Sequence, residues 1–325
     1  MIRVPTTPPK IEAASAPGDR PLWSVMIPVY NCGFYLKETL NSVLKQDIGV
    51  RRMQIEVVDD ASNDIDVESL VKEIGNGRII YTRQPYNVGS LRNFETCLNH
   101  SSGYLIHLLH GDDIVLPGYY KSITSLFEKY PQAGAAFCRH NYINNQGKKI
   151  GQEVQESEQP GLLHNWLPKL AKRQRIQYCS ITVRREVYEK LGGFYGVTYG
   201  EDWEMWTRIA EQFSFAYTPE ILAEYRIHES SISHDLLTSG QNLRDLQWVI
   251  DQIQHYLPEE SRYKLKKLAM KHYAHYGLGT ASLIWKNSRN KKSTASQIKE
   301  SFKMHTDAYM VAKVIWLYCK MSALW

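Results

Sequence analysis

Between residues 21 and 130 short apolar runs alternate with stretches of helical periodicity, and this alternation limits the chain to few architectures. LWSVMIPV leads into FYLKETLNSVLKQ, MQIEVVD into VESLVKEI, RIIYT into SLRNFETCLNH, and GYLIHLL into GYYKSITSLFEKY. An apolar run of strand length between turn signals reads as a strand buried on both faces, and the periodic stretches read as helices that cover it. Repeated strand–helix units predict an α/β fold with a mainly parallel central sheet. Ligands of such sheets bind at the carboxyl ends of the strands, so the residues that follow each run carry the functional signal.

Two acid pairs stand at such ends. Asp59 and Asp60 close IEVVDD, and Asp112 and Asp113 follow LIHLLHG, just past His110 and Gly111. A single pair is as often a helix cap or a turn; two pairs at equivalent strand ends point to one crevice. Adjacent carboxylates repel unless a cation or hydrogen-bond donors offset them, and hard divalent ions take oxygen ligands shared with phosphates. Mg²⁺ or Mn²⁺ with a diphosphate is the expectation. A third pair, Glu201 and Asp202 in YGEDWEMWTR, opens a helical stretch beside Trp203 and Trp206. Trp203 and Trp206, three apart, fit a buried helical stripe, and for Trp206 that is the preferred reading.

The rest of the chain is less regular. Residues 1–20, rich in Pro and Ala without periodicity, read as a flexible leader. Residues 144–160 read as a surface hairpin or loop, helical pieces follow at LLHNWLPKLAK and REVYEKL, and Gly192 with Gly193 closes the second. From about residue 236 the chain reads helical. Residues 261–325 hold 13 Lys and Arg against 2 Asp and Glu, so this tail carries +11 and the remainder −6. The predicted boundaries are therefore a leader at 1–20, a catalytic domain at 21–235 with halves 21–115 and 116–235, and a basic helical extension at 236–325. The five cysteines form no C-x-x-C pair, which argues against a disulfide framework or zinc site and for reduced, buried thiols. With no apolar run of spanning length and no secretory leader, a cytoplasmic protein is expected.

SVMIPVYN at 24–31, VVDDASND at 57–64, NVGSLRN at 87–93, HGDD at 110–113, LGGF at 191–194, GEDWEMWTR at 200–208 and YRIHESSIS at 225–233 resemble, in order and spacing, the bacterial family 2 glycosyltransferases. The resemblance covers roughly residues 22–233 and implies the nucleotide-sugar-binding GT-A fold and transfer with inversion. It implies a base pocket at Pro28, Tyr30 and Asn31, with Tyr30 stacking on a pyrimidine, and Asp60 accepting from the pyrimidine N3–H. Cytosine lacks that proton, so UDP, with dTDP as second choice, is the expected donor nucleotide. Asn87 and Arg92 would lie near the donor's phosphates and sugar, Asp112 on the ribose, Asp113 on the metal, and Arg226 and His228 by the diphosphate and metal. Asp202 resembles the general base, supported by Glu201, and aromatic faces beside these acids suit the C–H faces of a sugar acceptor, with Tyr199 and Trp203 as candidates. Many relatives carry an acid or polar group where His110 stands.

Two other readings stay open. A sugar-phosphate nucleotidyltransferase shares such a core but needs an early Gly-rich triphosphate cradle, which is missing here. A non-catalytic polyanion binder would use the basic tail, although the acidic body opposes nucleic acid and no nucleic-acid module is recognisable. In AYMVAKVIWLYCK, Lys313 and Lys320 share one face of an otherwise apolar helix, which suits peripheral contact with the inner face of the plasma membrane, or else packing on the catalytic domain or in a homodimer. A saccharide or lipid-linked saccharide is the expected acceptor, in polysaccharide biosynthesis.

Overall fold

The computed structural model describes residues 2–14, 18, 20–229 and 232–322. Residues 1, 15–17 and 19 of the leader, Ser230 and Ser231 of YRIHESSIS, and the last three residues of the basic tail lie outside them. The chain forms two compact units: residues 1–164, 176–198 and 212–227, and residues 165–175, 199–211 and 228–325.

The first unit is built on one mixed sheet. Its elements are β1 (Trp23–Val29), α1 (Gly33–Leu44), β2 (Met53–Asp59), α2 (Val67–Gly75), β3 (Ile80–Arg83), α3 (Ser90–His100), β4 (Leu105–Leu108), β5 (Ile114–Val115), α4 (Tyr119–Lys129), β6 (Ala133–Ile143), β7 (Lys149–Gln152) and β8 (Gly161–Leu162). After a short helix of the second unit, α5 (Trp166–Leu170), come β9 (Ile181–Arg184) and α6 (Arg185–Leu191), and later β10 (Ser214–Arg226). The strand order is β3-β2-β1-β4-β9-β6-β10-β5, with β7 on β6 and β8 on β10. β3, β2, β1 and β4 run parallel, as do β6 and β10, while β9 is antiparallel to both its neighbours. The chain thus proceeds outward from β1 on one side and then crosses to β4 on the other, which makes the β1/β4 edge a topological switch point. Val25, Ile27, Ile55, Val57 and Leu105 bury on this sheet against Leu36 and Leu40 of α1 and Tyr119 and Ile123 of α4.

Residues 2–14 depart from the flexible leader expected of them. Ile11 is 1% exposed, the amides of Gly193 and Gly196 each donate at 2.8 Å to the carbonyls of Pro9 and Pro5, and Arg185 Nη2 donates to the Glu12 carbonyl at 2.8 Å. Gly192, with φ +79°, could carry no side chain here, because a Cβ would stand 2.8 Å from the Pro9 carbonyl oxygen. The proline-rich segment has few conformations to lose on ordering, so these hydrogen bonds and the apolar anchor of Ile11 hold it.

The second unit is helical: α5, α7 (Glu201–Gln212), α8 (Ile232–Ser239), α9 (Gln241–Ile253), α10 (Glu259–Ser288), α11 (Lys291–Met304) and α12 (Ala308–Ser322). The predicted boundary near residue 236 therefore falls elsewhere, since the helix carrying Glu201 and Asp202 groups with the basic helices. α10 buries Leu265, Ala269, Tyr273, Ala274, Leu278, Ala281 and Trp285, a stripe spaced by three and four. Gly277 lets α9 and α11 approach: a Cβ there would meet Ser301 Oγ at 2.3 Å and Leu243 Cδ1 at 2.6 Å. Among the described residues no helix is long and apolar enough to cross a membrane.

Candidate active site

The carboxyl ends of β1, β2 and β4 are bound to one another by backbone hydrogen bonds: Asp60 N donates to the Val29 carbonyl at 2.8 Å and Gly111 N to the Pro28 carbonyl at 3.3 Å. This brings together Pro28, Tyr30, Asn31, Asp60, Asp112 and Asp113. Tyr30 is 44% exposed. Asn31 adopts φ +49°, with its side-chain oxygen accepting from Asn63 N at 2.9 Å and its own amide donating to Ser62 Oγ at 3.0 Å. That left-handed turn lifts Tyr30 out of the strand end, and Asn tolerates it better than most residues.

Asp59 and Asp60 do different work. Asp59 is wholly buried, accepting from Ser62 N at 2.8 Å and Tyr81 Oη at 2.8 Å and pairing with Arg83. Asp60 accepts from the amides of Val88 at 2.6 Å and Gly89 at 2.9 Å and from Asn87 Nδ2 at 3.0 Å. Burial pushes its carboxyl above the ordinary range, and the two amides partly offset this. A carboxylate has about four acceptor positions, so with three filled Asp60 keeps one. Asn87 Oδ1 is bonded by Arg3, and Arg92 Nε donates to the Ile2 carbonyl at 3.0 Å while its Nη1 pairs with Glu95 at 2.6 Å. The N-terminal segment therefore reaches both residues of NVGSLRN expected near the donor, a contact with no sequence signal.

The HGDD turn is held on three sides. Thr39 Oγ1 donates to the carbonyls of Gly111 at 3.0 Å and Asp113 at 2.8 Å. A Cβ on Gly111 would lie 2.8 Å from Cys32 Sγ and 3.0 Å from Val29 Cγ2, so a side chain there would crowd the end of β1. Arg226, 3% exposed, donates its amide to Asp113 Oδ1 at 2.9 Å, its Nε to the Asp112 carbonyl at 2.9 Å and its Nη2 to Glu38 at 2.6 Å. In this structure its guanidinium holds the turn. Asp113 is 1% exposed. Among the described residues its Oδ2 and the Nε2 of His110 are buried with no geometric hydrogen-bond partner, and ligand atoms of His110, Asp112 and Asp113 lie within 4.8 Å of one another. Burial, then the Asp112 charge, pushes the Asp113 carboxyl well up, and burial holds His110 low. An unpaired buried oxygen and nitrogen side by side are costly, and a divalent cation would satisfy both, so the donor set fits one. His107, by contrast, is packed against Tyr119, bonded to the Cys179 carbonyl and held down to about 3 by burial.

In the second unit, Glu201 and Asp202 open α7, each 8% exposed. Asp202 Oδ1 accepts from Trp203 N at 2.7 Å and Oδ2 from Gln174 Nε2. Burial raises its carboxyl to about 7 against the pull of both donors. Gln174 is itself fixed by its amide's bond to Tyr273 Oη at 2.9 Å. Tyr199 Oη pairs with Tyr276 Oη at 2.8 Å. Trp203 corrects the expectation of an acceptor platform: it is 0% exposed, its Nε1 donating to the Leu170 carbonyl at 2.8 Å, and like Trp206 it is core. His228 is half-buried just beyond β10.

The family model described as "Glycosyl transferase family 2" matches residues 24–192. An uncharacterized glycosyltransferase of Haemophilus influenzae is 27% identical over 66% of this chain and 68% of its own. Among solved structures, residues 1–349 of S. aureus TarS in complex with UDP-GlcNAc superpose with a TM-score of 0.65 at 13% identity, over 86% of this chain and 79% of that one. In a second S. aureus TarS structure, 50% of that chain is covered. The mannosyltransferase PcManGT of Pyrobaculum calidifontis, in complex with GDP-Man and Mn²⁺, superposes at 0.51 and 17% identity, over 94% of this chain and 90% of that one.

Proposed function

Because this chain belongs to glycosyl transferase family 2 and is a glycosyltransferase of GT-A fold, we propose that it transfers a sugar with inversion from a UDP-sugar, or secondly a dTDP-sugar, to a saccharide or lipid-linked saccharide. The observation that supports this reading is the hydrogen-bonded junction of the β1, β2 and β4 ends, which carry Tyr30, Asp60, Asp112 and Asp113. Tyr30 stacks on the base and the remaining acceptor position of Asp60 takes the N3–H. Asn87 and Arg92 contact the donor's phosphates and sugar, and Asp112 the ribose. Asp112 and Asp113, with His110 and His228, would hold Mn²⁺ or Mg²⁺, which supplies Lewis-acid stabilisation of the departing diphosphate. Arg226 positions that turn. Asp202, supported by Glu201, removes the acceptor hydroxyl's proton as the oxygen attacks the anomeric carbon, with Tyr199 lining the acceptor's path. The Mn²⁺ of PcManGT and the UDP-GlcNAc of TarS support the metal and the nucleotide.

Titration calorimetry of UDP, dTDP, GDP and CDP with Mn²⁺ tests the donor reading. UDP is expected to bind tightest and to need metal, and Asp60→Ala to lose at least about tenfold in affinity, the worth of one hydrogen bond to a charged group. No nucleotide binding by the wild type would turn attention to the basic tail as a polyanion binder.

That tail also supports peripheral membrane contact. α12 buries Met310, Leu317 and Met321 but exposes Ile315 (60%), Trp316 (52%) and Tyr318 (45%), beside Lys313 and Lys320. An apolar face rimmed by cations suits an anionic bilayer surface. Flotation with phosphatidylserine vesicles is expected to carry the wild type, and Ile315→Glu with Trp316→Glu to remain at the bottom; equal flotation of both would dismiss the contact.

A further inference from the structure

Three side chains of the helical unit converge at a point the donor site does not use. His275 lies on α10, His305 just after α11 and Asp307 just before α12. The Nε2 atoms of His275 and His305 stand 3.0 Å and 3.3 Å from one oxygen, Asp307 Oδ2, and all three ligand atoms lie within 4.8 Å of one another. We propose that His275, His305 and Asp307 form a binding site for a divalent transition-metal ion of the Zn²⁺ class, which ties α10, α11 and α12 together.

The geometry matches a tetrahedral site. Nitrogen and oxygen ligands at 2.0–2.2 Å from a tetrahedral centre are about 3.3–3.5 Å apart, and the two observed separations lie at or a little below that edge. The ligands are also held from outside. Asp307 Oδ1 accepts from Met310 N at 3.0 Å, leaving Oδ2 to ligate alone, and the His275 ring stacks on Tyr309 with planes 1° apart. Such outer support is what fixes ligand orientation. Two imidazoles and one carboxylate suit Zn²⁺, Co²⁺ or Ni²⁺ rather than Mg²⁺. Side-chain exposures of 32%, 22% and 25% leave an approach and room for a water as fourth ligand. The ion would close the chain between residues 275 and 307, stabilising the folded unit in proportion to its occupancy. One group opposes it: Lys271 Nζ lies 3.5 Å from the same Oδ2, but its side chain is 53% exposed and free to swing into solvent. The competing arrangement is a hydrogen-bonded His–Asp–His cluster that binds no metal.

Titration of ZnCl₂ alone into the full chain, with thermal unfolding in EDTA and in excess Zn²⁺, separates the two. The wild type is expected to bind one equivalent more than His275→Ala or His305→Ala, and its Tm to rise with Zn²⁺ more than theirs. Equivalents taken up at His110, Asp112 and Asp113 persist in every variant, as does UDP binding, so this outcome is independent of the donor reading. Lys271→Ala, which removes a competing ammonium, is expected to bind that equivalent about tenfold tighter. Equal stoichiometry and affinity in the wild type, His275→Ala and the milder His275→Gln would overturn the site. Lys271→Ala binding Zn²⁺ more weakly would do so too.

Discussion

Asp202→Asn is expected to lower glycosyl transfer by about 10²–10⁴-fold while leaving UDP affinity within about twofold, because a general base acts in the transition state and not in donor binding. The pH dependence is the sharper test. Burial holds the Asp202 carboxyl up at about 7, and only the ionised form takes a proton, so kcat is expected to rise with pH through about 7 and then level. Gln174 donates to Oδ2 and favours the ionised form; Gln174→Leu should move the rising limb to higher pH without removing activity. Stability runs the other way. The folded carboxyl titrates above its unfolded value of 3.8, so the unfolded chain binds fewer protons between those two pH values. The contribution of Asp202 to stability is thus fully present below the unfolded value and lost as pH rises through about 7. Asp202→Asn should flatten that fall in chemical denaturation while abolishing the kinetic limb. A wild-type kcat independent of pH from 5 to 9 would exclude Asp202 as the base.

The sequence exposed the parts of this molecule that rest on local patterning. MQIEVVD is β2 to the residue, and SLRNFETCLNH is α3, because one has continuous apolar character and the other an amphipathic period with a glycine before it. The acids that follow such strands were legible for the same reason: strand ends in a parallel sheet share an edge. β10 was missed, since Pro219 and Glu220 interrupt its apolar run and its pairing with β6 shifts register around Ile221. Antiparallel β9 within a largely parallel sheet has no local signature either. Trp203 was misread because spacing by three describes a buried stripe for it as well as for Trp206. The ordered N-terminal segment is a purely tertiary fact: two carbonyls and Ile11 meet partners almost two hundred residues away, and Gly192 and Gly193 read only as a helix stop. His275, His305 and Asp307 are likewise joined by helix packing alone.

The donor-metal residues carry the second large effect, and its two halves have opposite signs. Asp113→Ala is expected to abolish metal-dependent UDP binding and to lower transfer by about 10³-fold or more, the scale of losing a clamp on a developing diphosphate charge. Asp113 is buried, its Oδ1 accepts from the Arg226 amide, and its Oδ2 meets no geometric hydrogen-bond partner among the described residues. Without metal this buried carboxyl is desolvated and only partly satisfied, and burial pushes it well up. Replacing it with a methyl is therefore expected to leave Tm in EDTA unchanged or higher, the reverse of what removal of a structural ion pair would do. With Mn²⁺ at about a hundred times its dissociation constant the wild type should gain about 2.7 kcal/mol, and Asp113→Ala should gain none. Asp112→Ala, at the half-exposed neighbour, should lose the same binding without the change in EDTA, because its carboxylate stands nearer water. A fall in Tm for Asp113→Ala in EDTA, with Mn²⁺ still stabilising it, would make Asp113 a structural carboxylate and leave the cation to Asp112 and His110. The comparison separates a strained site kept for catalysis from a buried acid kept for folding, since only the first is relieved by mutation and restored by metal.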